Sequence, residues 1–336
     1  MIPIIEKLKG KQNLTVEEIH EVMHVIMSGQ GQDALVAEFL SALNEKGPTV
    51  DEITGAAQLL QEFSLPVQTK HKVVLDTCGT GGDGKNTFNI STLVAFVVAG
   101  AGVVVAKHGN RSVSSRCGSA DILEAFGIDL QLEQECLGQC LDEIGIAFLF
   151  AQRLHPAMKK VAAVRKKMGV KTIFNILGPL INPAGATHQM IGVYNRDLIE
   201  PLAHVSKNLG RQRALVVHGH DGLDEITTTG KTYVSEWNGN KIATYDIDPA
   251  ELNIPYAKMQ DLIGGDLQEN LHIAQDVLSG ESGPQRDIVV LNAAYALYAV
   301  GKVQDINDGI MMAKESIDKG QALNKLEALK NFTARS

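Results

Sequence analysis

The sequence predicts an α/β protein with a central, mostly parallel sheet and a helical segment ahead of it, and three observations lead there. The first ~65 residues carry apolar side chains at helical spacing behind two capping signals. From Lys72 onward a strand, a glycine-rich turn, a helix and a second strand follow within about 35 residues, a βαβ unit that implies parallel pairing. Glycine is abundant, at 32 residues, beside a single tryptophan, Trp237, which suits tight strand-to-helix turns better than a β-rich binding module.

In chain order, Thr15 with Glu18 and Thr49 with Glu52 form T-x-x-E capping boxes. Ile19, Val22, Met23, Ile26 and Met27 make one helical stripe. Leu35, Val36, Phe39, Leu40 and Leu43 make another, which Gly47-Pro48 ends. Four short helices cannot bury all their apolar faces alone, so this segment is expected to dock on the rest of the chain or on a second subunit. Residues 73–75 predict the first strand, 77–84 a turn, 89–100 a helix and 103–105 the second strand. A basic helix is predicted over 156–168, strands over 190–194 and 214–218, and a hairpin over 232–237 and 241–245 through Asn238-Gly239-Asn240. A late strand is predicted at 288–291, and helix over the last ~35 residues.

A net charge of −8 disfavours nucleic-acid and membrane-surface partners, although local loops can still bind a small anion. Cys78, Cys117, Cys136 and Cys140 form no C-x-x-C pair and have no nearby histidine, so reduced thiols and a cytoplasmic location are expected over a zinc site. The N-terminus lacks a signal-peptide pattern, and the longest apolar run, 93–106, is too short for a membrane span.

Gly79, Gly81 and Gly84 satisfy G-x-G-x-x-G, the pattern of a dinucleotide loop. That reading wants an acidic residue at the end of the second strand, where this chain has Lys107-His108. Asp83 would also face a pyrophosphate. A tight glycine turn can instead present backbone N–H groups to phosphate, with Asn89, Ser91 and Thr92 at the positive end of the next helix. An ordinary turn with an ordinary N-cap fits the same residues.

The following loop narrows the choice. Residues 107–115 supply two fixed cations, a histidine, three hydroxyls and an amide around one glycine, and Ser119 adds a hydroxyl. Consecutive parallel strands place such loops on one side of the sheet. Asp224-Glu225 follows the strand predicted at 214–218, where adjacent carboxylates can share a hard cation bound to a diphosphate. Arg165 continues the stripe of Met158, Val161 and Ala162, so it either pairs inward with a carboxylate or snorkels.

Taken together, residues 76–83, Asn89-Ile90-Ser91-Thr92, 107–115 with Gly118-Ser119-Ala120-Asp121, 175–183 (NILGPLINP) and Gly222-Leu223-Asp224-Glu225 resemble the anthranilate phosphoribosyltransferases of tryptophan biosynthesis, over nearly the whole chain. The resemblance implies a nucleoside phosphorylase-like phosphoribosyltransferase architecture. In it a helical domain, 1–70 with a returning segment 156–185, stands beside an α/β domain of 71–155 and 186–336. It implies a homodimer through the helical domains, the substrates 5-phosphoribosyl 1-diphosphate and anthranilate, and two magnesium ions per site. Gly79, Gly82, Asp83, Thr87, Asn89, Ile90, Ser91, Thr92, Lys107, His108, Gly109, Asn110, Arg111, Ser112, Val113, Ser114, Ser115 and Ser119 would hold the phosphoribosyl diphosphate. Ser91, Asp224 and Glu225 would bind metal. Gly79, Asn110 and Arg165 would contact anthranilate, with His108 and His155 lining its route. No side chain is implied as an acid–base catalyst; catalysis would be electrostatic and positional. A pyrimidine nucleoside phosphorylase would share the architecture without needing the acidic pair or Arg165, and a nucleotide-sensing module would bind without turnover.

Overall fold

Residues 1–111 and 117–335 are described by the structure, a computed structural model. The N-terminal segment forms α1 (Ile2–Lys9), α2 (Val16–Met27), α3 (Asp33–Lys46) and α4 (Val50–Glu62). Both capping boxes are made: Thr15 and Thr49 accept the N–H groups of Glu18 and Glu52, whose carboxylates accept the threonine N–H groups in return. Glu52 reaches further. Fully buried, it also accepts the Leu14 N–H at 2.8 Å and the Lys46 ammonium at 2.8 Å. One buried charge thereby joins the α1–α2 connection to the end of α3 and the start of α4.

Seven strands follow: β1 (Leu75–Gly79), β2 (Val105–Gly109), β3 (Ile146–Phe150), β4 (His188–Gly192), β5 (Arg213–Gly219), β6 (Thr232–Trp237) and β7 (Ile242–Ile247). They form one sheet in the order β3-β2-β1-β4-β5-β6-β7. The first five are mutually parallel, while β6 and β7 are an antiparallel edge hairpin. The chain runs outward from β1 through β2 to β3, then crosses back to place β4 and β5 on the other side of β1. Such a switch of direction opens a crevice beyond the carboxyl ends of the strands.

The remaining helices are α5 (Ile90–Gly100), α6 (Ser119–Ala125), α7 (Gln134–Glu143), α8 (Ala151–Leu154), α9 (Lys159–Met168), α10 (Phe174–Leu177), α11 (Ile199–Asn208), α12 (Leu267–Ser279), α13 (Pro284–Ala299), α14 (Ile306–Asp318) and α15 (Gln321–Thr333). Alternation along the strands divides them between two cores. Leu215 and Val217 of β5 face the core built with α5, α12, α13, α14 and α15, whereas Val216 faces a second core. That second core holds Ile19, Phe39 and Leu59 of the N-terminal helices, Val161 and Val164 of α9, Phe174 of α10 and Leu202 of α11. The N-terminal helices thus bury their stripes against the returning segment and the sheet-covering α11, within the same chain.

Several expectations need correction. Residues 288–291 lie inside α13, not in a strand. Their apolar run is continuous because α13 is buried nearly all round, and periodicity cannot separate such a helix from a buried strand. The first two strands begin later than predicted and extend into the motif residues. Asp76, Thr77 and Cys78 pair with β4, and Lys107 and His108 pair with β3. Ala162 is exposed, and α9 buries Val161 with Val164 instead. Among the described residues no helix is long and apolar enough to cross a membrane.

Removing the buried Glu52 carboxylate strands the Lys46 ammonium, whose side chain is 4% exposed. Glu52→Ala is expected to cost about 3–5 kcal/mol; a denaturant-unfolding change below 1 kcal/mol would contradict that role.

Candidate functional site

The site lies at the carboxyl edge of the parallel strands. β1 leads into a turn in which Gly81 and Gly82 take the left-handed conformation, φ 64° and 76°. Across the switch point, β4 ends at Gly192, where any Cβ would stand 1.5 Å from the Asp224 carbonyl oxygen. Only glycine there lets the turn after β5 fold over the ends of β1 and β4. That turn brings the Asp224 carboxylate to the Gly81 N–H, at 2.8 Å. The Asp224 N–H in turn faces the Asp83 carboxylate at 3.4 Å.

Glu225, 8% exposed, receives a backbone hydrogen bond from Ser91 in the first turn of α5. The Lys107 ammonium, buried under the same turn, donates to the Thr77 carbonyl at 2.6 Å and to Ser91 Oγ at 3.2 Å. The glycine turn, the α5 N-terminus, Lys107 and the acidic pair therefore meet at one edge. Burial first, and the neighbouring Asp83 charge second, hold the Asp224 carboxyl above the usual carboxylate range. Burial and the Asp224 charge raise Glu225, with Lys107 opposing. Burial pulls Lys107 down, opposed chiefly by Asp76. Three carboxylates, Asp83, Asp224 and Glu225, stand there against the ammonium groups of Lys107 and Lys171.

A hard divalent cation fits this donor set, which is all carboxylate and hydroxyl oxygen. Among the described residues no three His, Cys, Asp or Glu side chains form a complete metal cage. Magnesium commonly takes only one or two protein carboxylates and completes its shell with water and substrate phosphate.

Arg165 is half-buried on α9, its guanidinium carbon 5.3 Å from the centre of the Phe174 ring, and makes no ion pair among the described residues. Burial alone lowers its pKa. It is neither paired inward nor extended into solvent. His108 and His155 form a buried pair. His108 Nδ1 is 3.1 Å from the Gly178 carbonyl, and its Nε2 is 3.1 Å from His155 Nε2. A carbonyl can only accept, so Nδ1 carries the proton and His155 donates to His108 Nε2. Burial, then the neighbouring His155, push His108 down to about 3, and burial pushes His155 down to about 4.

The other predicted residues are placed as follows. Asn89 stands at the N-cap position of α5 without a side-chain cap bond and donates to the Cys117 carbonyl at 3.2 Å, with Ile90, Ser91 and Thr92 in the first turn. Thr87 forms an isolated bridge with Ile263. Gly109 ends β2, and Asn110 accepts from Gln152 at 3.1 Å and, through its carbonyl, from Ser119 Oγ at 3.1 Å. Arg111 is turned to the start of α6, bonded to Asp121 at 2.9 Å and to Glu124 at 2.7 Å. Ser112, Val113, Ser114 and Ser115 lie outside the described residues.

Sequence reasoning missed Lys171, between α9 and α10. Its ammonium donates to the Gly82 carbonyl at 2.8 Å and sits 3.4 Å from the centre of the Tyr194 ring. It also missed Gly192. Neither stands in a motif, although Gly192, like Gly79, is a glycine at the carboxyl end of a parallel strand.

This fold and edge define a glycosyl transferase built from two parts. Residues 2–64 match the helical bundle domain of the glycosyl transferase family, and residues 71–323 match its a/b domain. An anthranilate phosphoribosyltransferase of Moorella thermoacetica is 52% identical over 97% of this chain and 96% of its own length. One from Geotalea uraniireducens is 50% identical over 98% of both. The anthranilate phosphoribosyltransferase structure from Thermus thermophilus superimposes with a TM-score of 0.94 at 41% identity, over 98% of this chain and 99% of that one. The Saccharomyces cerevisiae structure in complex with PRPP and Mg gives 0.92 at 29% identity, over 100% and 98%. The chain belongs to the anthranilate phosphoribosyltransferase family.

The neutral histidine pair makes stability pH-dependent. Between the folded His155 value of about 4 and the unfolded value near 6.5, the unfolded chain binds the extra proton. This contribution is complete above pH 6.5 and is lost as pH falls toward 4. His155→Gln, which keeps a donor without titrating, should lose about 2 kcal/mol less stability than the parent between pH 7.5 and 5. Parallel stability curves for the two proteins would contradict the pair's neutrality.

Proposed function

We propose that this chain transfers the phosphoribosyl group of 5-phosphoribosyl 1-diphosphate to the amine of anthranilate, giving N-(5-phosphoribosyl)anthranilate and diphosphate, a step of L-tryptophan biosynthesis. The observation that carries the reading is the meeting of the glycine turn, the α5 N-terminus, Lys107 and the Asp224-Glu225 pair at one sheet edge. The names of the relatives support the reaction, and the yeast relative's complex with PRPP and Mg supports the use of magnesium.

In this reading the diphosphate substrate lies against the turn from Gly79 to Asp83, the arm from Thr87 to Thr92, the segment 107–115 and Ser119. Backbone N–H groups and the α5 dipole offset charge on the departing diphosphate, a form of catalysis that commonly outweighs proton transfer. Ser91, Asp224 and Glu225 would hold magnesium, taken as two ions per site, which would supply further positive charge beside the leaving group. As the C1–O bond to diphosphate breaks, C1 becomes cation-like, and the anthranilate nitrogen forms the new bond and then releases its proton to water, while diphosphate leaves. An aromatic amine is already neutral, so no strong base is needed. Arg165 meets no carboxylate among the described residues, which suits gripping the carboxylate of anthranilate, with Gly79 and Asn110 nearby in the reading and His108 and His155 along the route. Arg111 would have to leave Asp121 and Glu124 to reach phosphate.

The helical part, 1–70 with 156–185, and the α/β part, 71–155 with 186–336, would form the two walls of the cleft. Two copies would join through the helical part, and the enzyme would work in the cytoplasm.

Loss of anthranilate fluorescence, with and without magnesium, tests the reaction directly. Arg165→Ala should raise the anthranilate KM by about ten- to a hundredfold, the scale of a charge-assisted hydrogen bond, and leave the diphosphate-substrate KM within twofold. An equal rise in both would remove Arg165 from the amine site. Replacing Asp224 and Glu225 together by Asn and Gln should lower kcat by on the order of a hundredfold or more and abolish the magnesium response; near-normal turnover would exclude them as ligands.

A further inference from the structure

The arm 86–89 carries the chain from the glycine turn into α5. It is pinned from outside by a strap, residues 262–265, that leads into α12. The Phe88 N–H donates to the Leu262 carbonyl at 3.3 Å, and the Gly264 N–H donates to the Asn86 carbonyl at 2.9 Å. Between these two bonds Thr87 and Ile263 form an antiparallel bridge. The strap runs so close that a Cβ on Gly264 would stand 2.9 Å from both N and Cα of Phe88, and 2.4 Å from Asn270 Oδ1. Backbone is on one side of that glycine and a buried amide on the other, so neither yields cheaply.

Asn270, in the first turns of α12 and 3% exposed, fixes the far end of the strap. Its Nδ2 donates to the Gly265 carbonyl at 2.9 Å and to the Asp266 carbonyl at 2.8 Å. Its Oδ1 has no hydrogen-bond partner among the described residues. Asn270 also lines a cavity of about 160 Å³ bounded by the arm at Asn86 and Thr87, by the strap and by Cys117. Asn89, at the end of the arm, donates to the Cys117 carbonyl at 3.2 Å. Arm, strap and the chain just ahead of α6 are thus assembled around one amide on a helix that carries none of the motifs.

We infer that Gly264 and Asn270 are positioning residues for the phosphate-bearing substrate, acting through the arm to set where Thr87 and the first turn of α5 present their donors. The inference rests on the proposed reading of this edge as the 5-phosphoribosyl 1-diphosphate site. A displacement of about 1 Å in such a donor set costs up to about a hundredfold, while the amine's side of the cleft, on α9, is untouched.

The test is steady-state kinetics on the full chain, with thermal melts and calorimetric titration of 5-phosphoribosyl 1-diphosphate in the presence of magnesium. Gly264→Ala and Asn270→Ala are each expected to raise the KM and Kd for the diphosphate substrate by about ten- to a hundredfold, with the anthranilate KM within twofold. Asn270→Ser, which keeps one donor, should recover part of the loss. Gly280→Ala is the control. It strains the left-handed residue that ends α12 (φ 97°) without touching the arm, so it should lower the melting temperature and leave both KM values alone.

An unchanged diphosphate-substrate KM in folded variants overturns the inference. So does a loss shared by both KM values and kcat, or one that Gly280→Ala reproduces, because each marks a merely structural role. If Gly264→Ala does not fold, the Asn270 pair carries the test. If the parent protein binds the diphosphate substrate but does not consume anthranilate, the proposed reaction fails, and the calorimetric Kd of the variants still decides the positioning role.

Discussion

A shortage of positive charge at the carboxyl edge of the sheet is the constraint on which the rest of this structure depends. Asp83, Asp224 and Glu225 converge there, and the Lys107 ammonium is spread between the Thr77 carbonyl, Ser91 and two buried acids. Carboxylates so placed would repel one another unless a cation or a set of oriented N–H groups answered them. The fold supplies the groups that it can. The Gly81 N–H meets Asp224, the Ser91 N–H meets Glu225, and α5 directs its positive end at the same spot. What is left over suits a hard metal ion arriving with a diphosphate.

That convergence is possible only because the sheet reverses its winding at β1. The glycine turn after β1 and the acidic turn after β5 leave the sheet two strands apart, with β4 between them. Gly192 at the end of β4 clears the path, so the Asp224 backbone crosses where a side chain would otherwise stand. The other face of the sheet carries the helical core, and the returning segment around α9 and α10 brings Lys171 to the Gly82 carbonyl and the Gly178 carbonyl to His108. The neutral histidine pair beneath Gly178 adds no charge there.

Much of this was legible in the chain because phosphate and metal chemistry need unusual residue combinations. Gly79 to Asp83, Asn89 to Thr92 and Asp224-Glu225 could each pass alone as an ordinary turn or cap, and it is their company with the donor-rich segment from Lys107 onward that set them apart. The same polarity misled the reading of the backbone. Asp76, Thr77, Lys107 and His108 looked like turn residues, yet they are buried strand residues whose side chains are answered by partners distant in sequence. Residues 288–291 misled in the opposite sense, since α13 is buried on nearly every side and so shows no helical period. Lys171, Gly192 and Gly264 had no local signal, because each acts on a segment distant in sequence, as the Lys171 bond to Gly82, 89 positions earlier, illustrates, while Asn270 reaches the arm only through Gly264 and the strap.

By itself the sequence determined the parallel α/β class, the helical lead, the two donor-rich turns, the acidic pair and, through its motifs, the family. Those depend on residue type and short spacing, which the chain carries wherever it goes. Only tertiary structure decided that Asp224 would sit on the Gly81 N–H, that Arg165 would meet no acid among the described residues, that Arg111 would turn to Asp121 and Glu124, and that a glycine ahead of α12 and an asparagine within it would brace the arm before α5. Each of these is a meeting of distant segments. Its energy depends on distance, burial and local field, and these exist only once the sheet has brought the segments together.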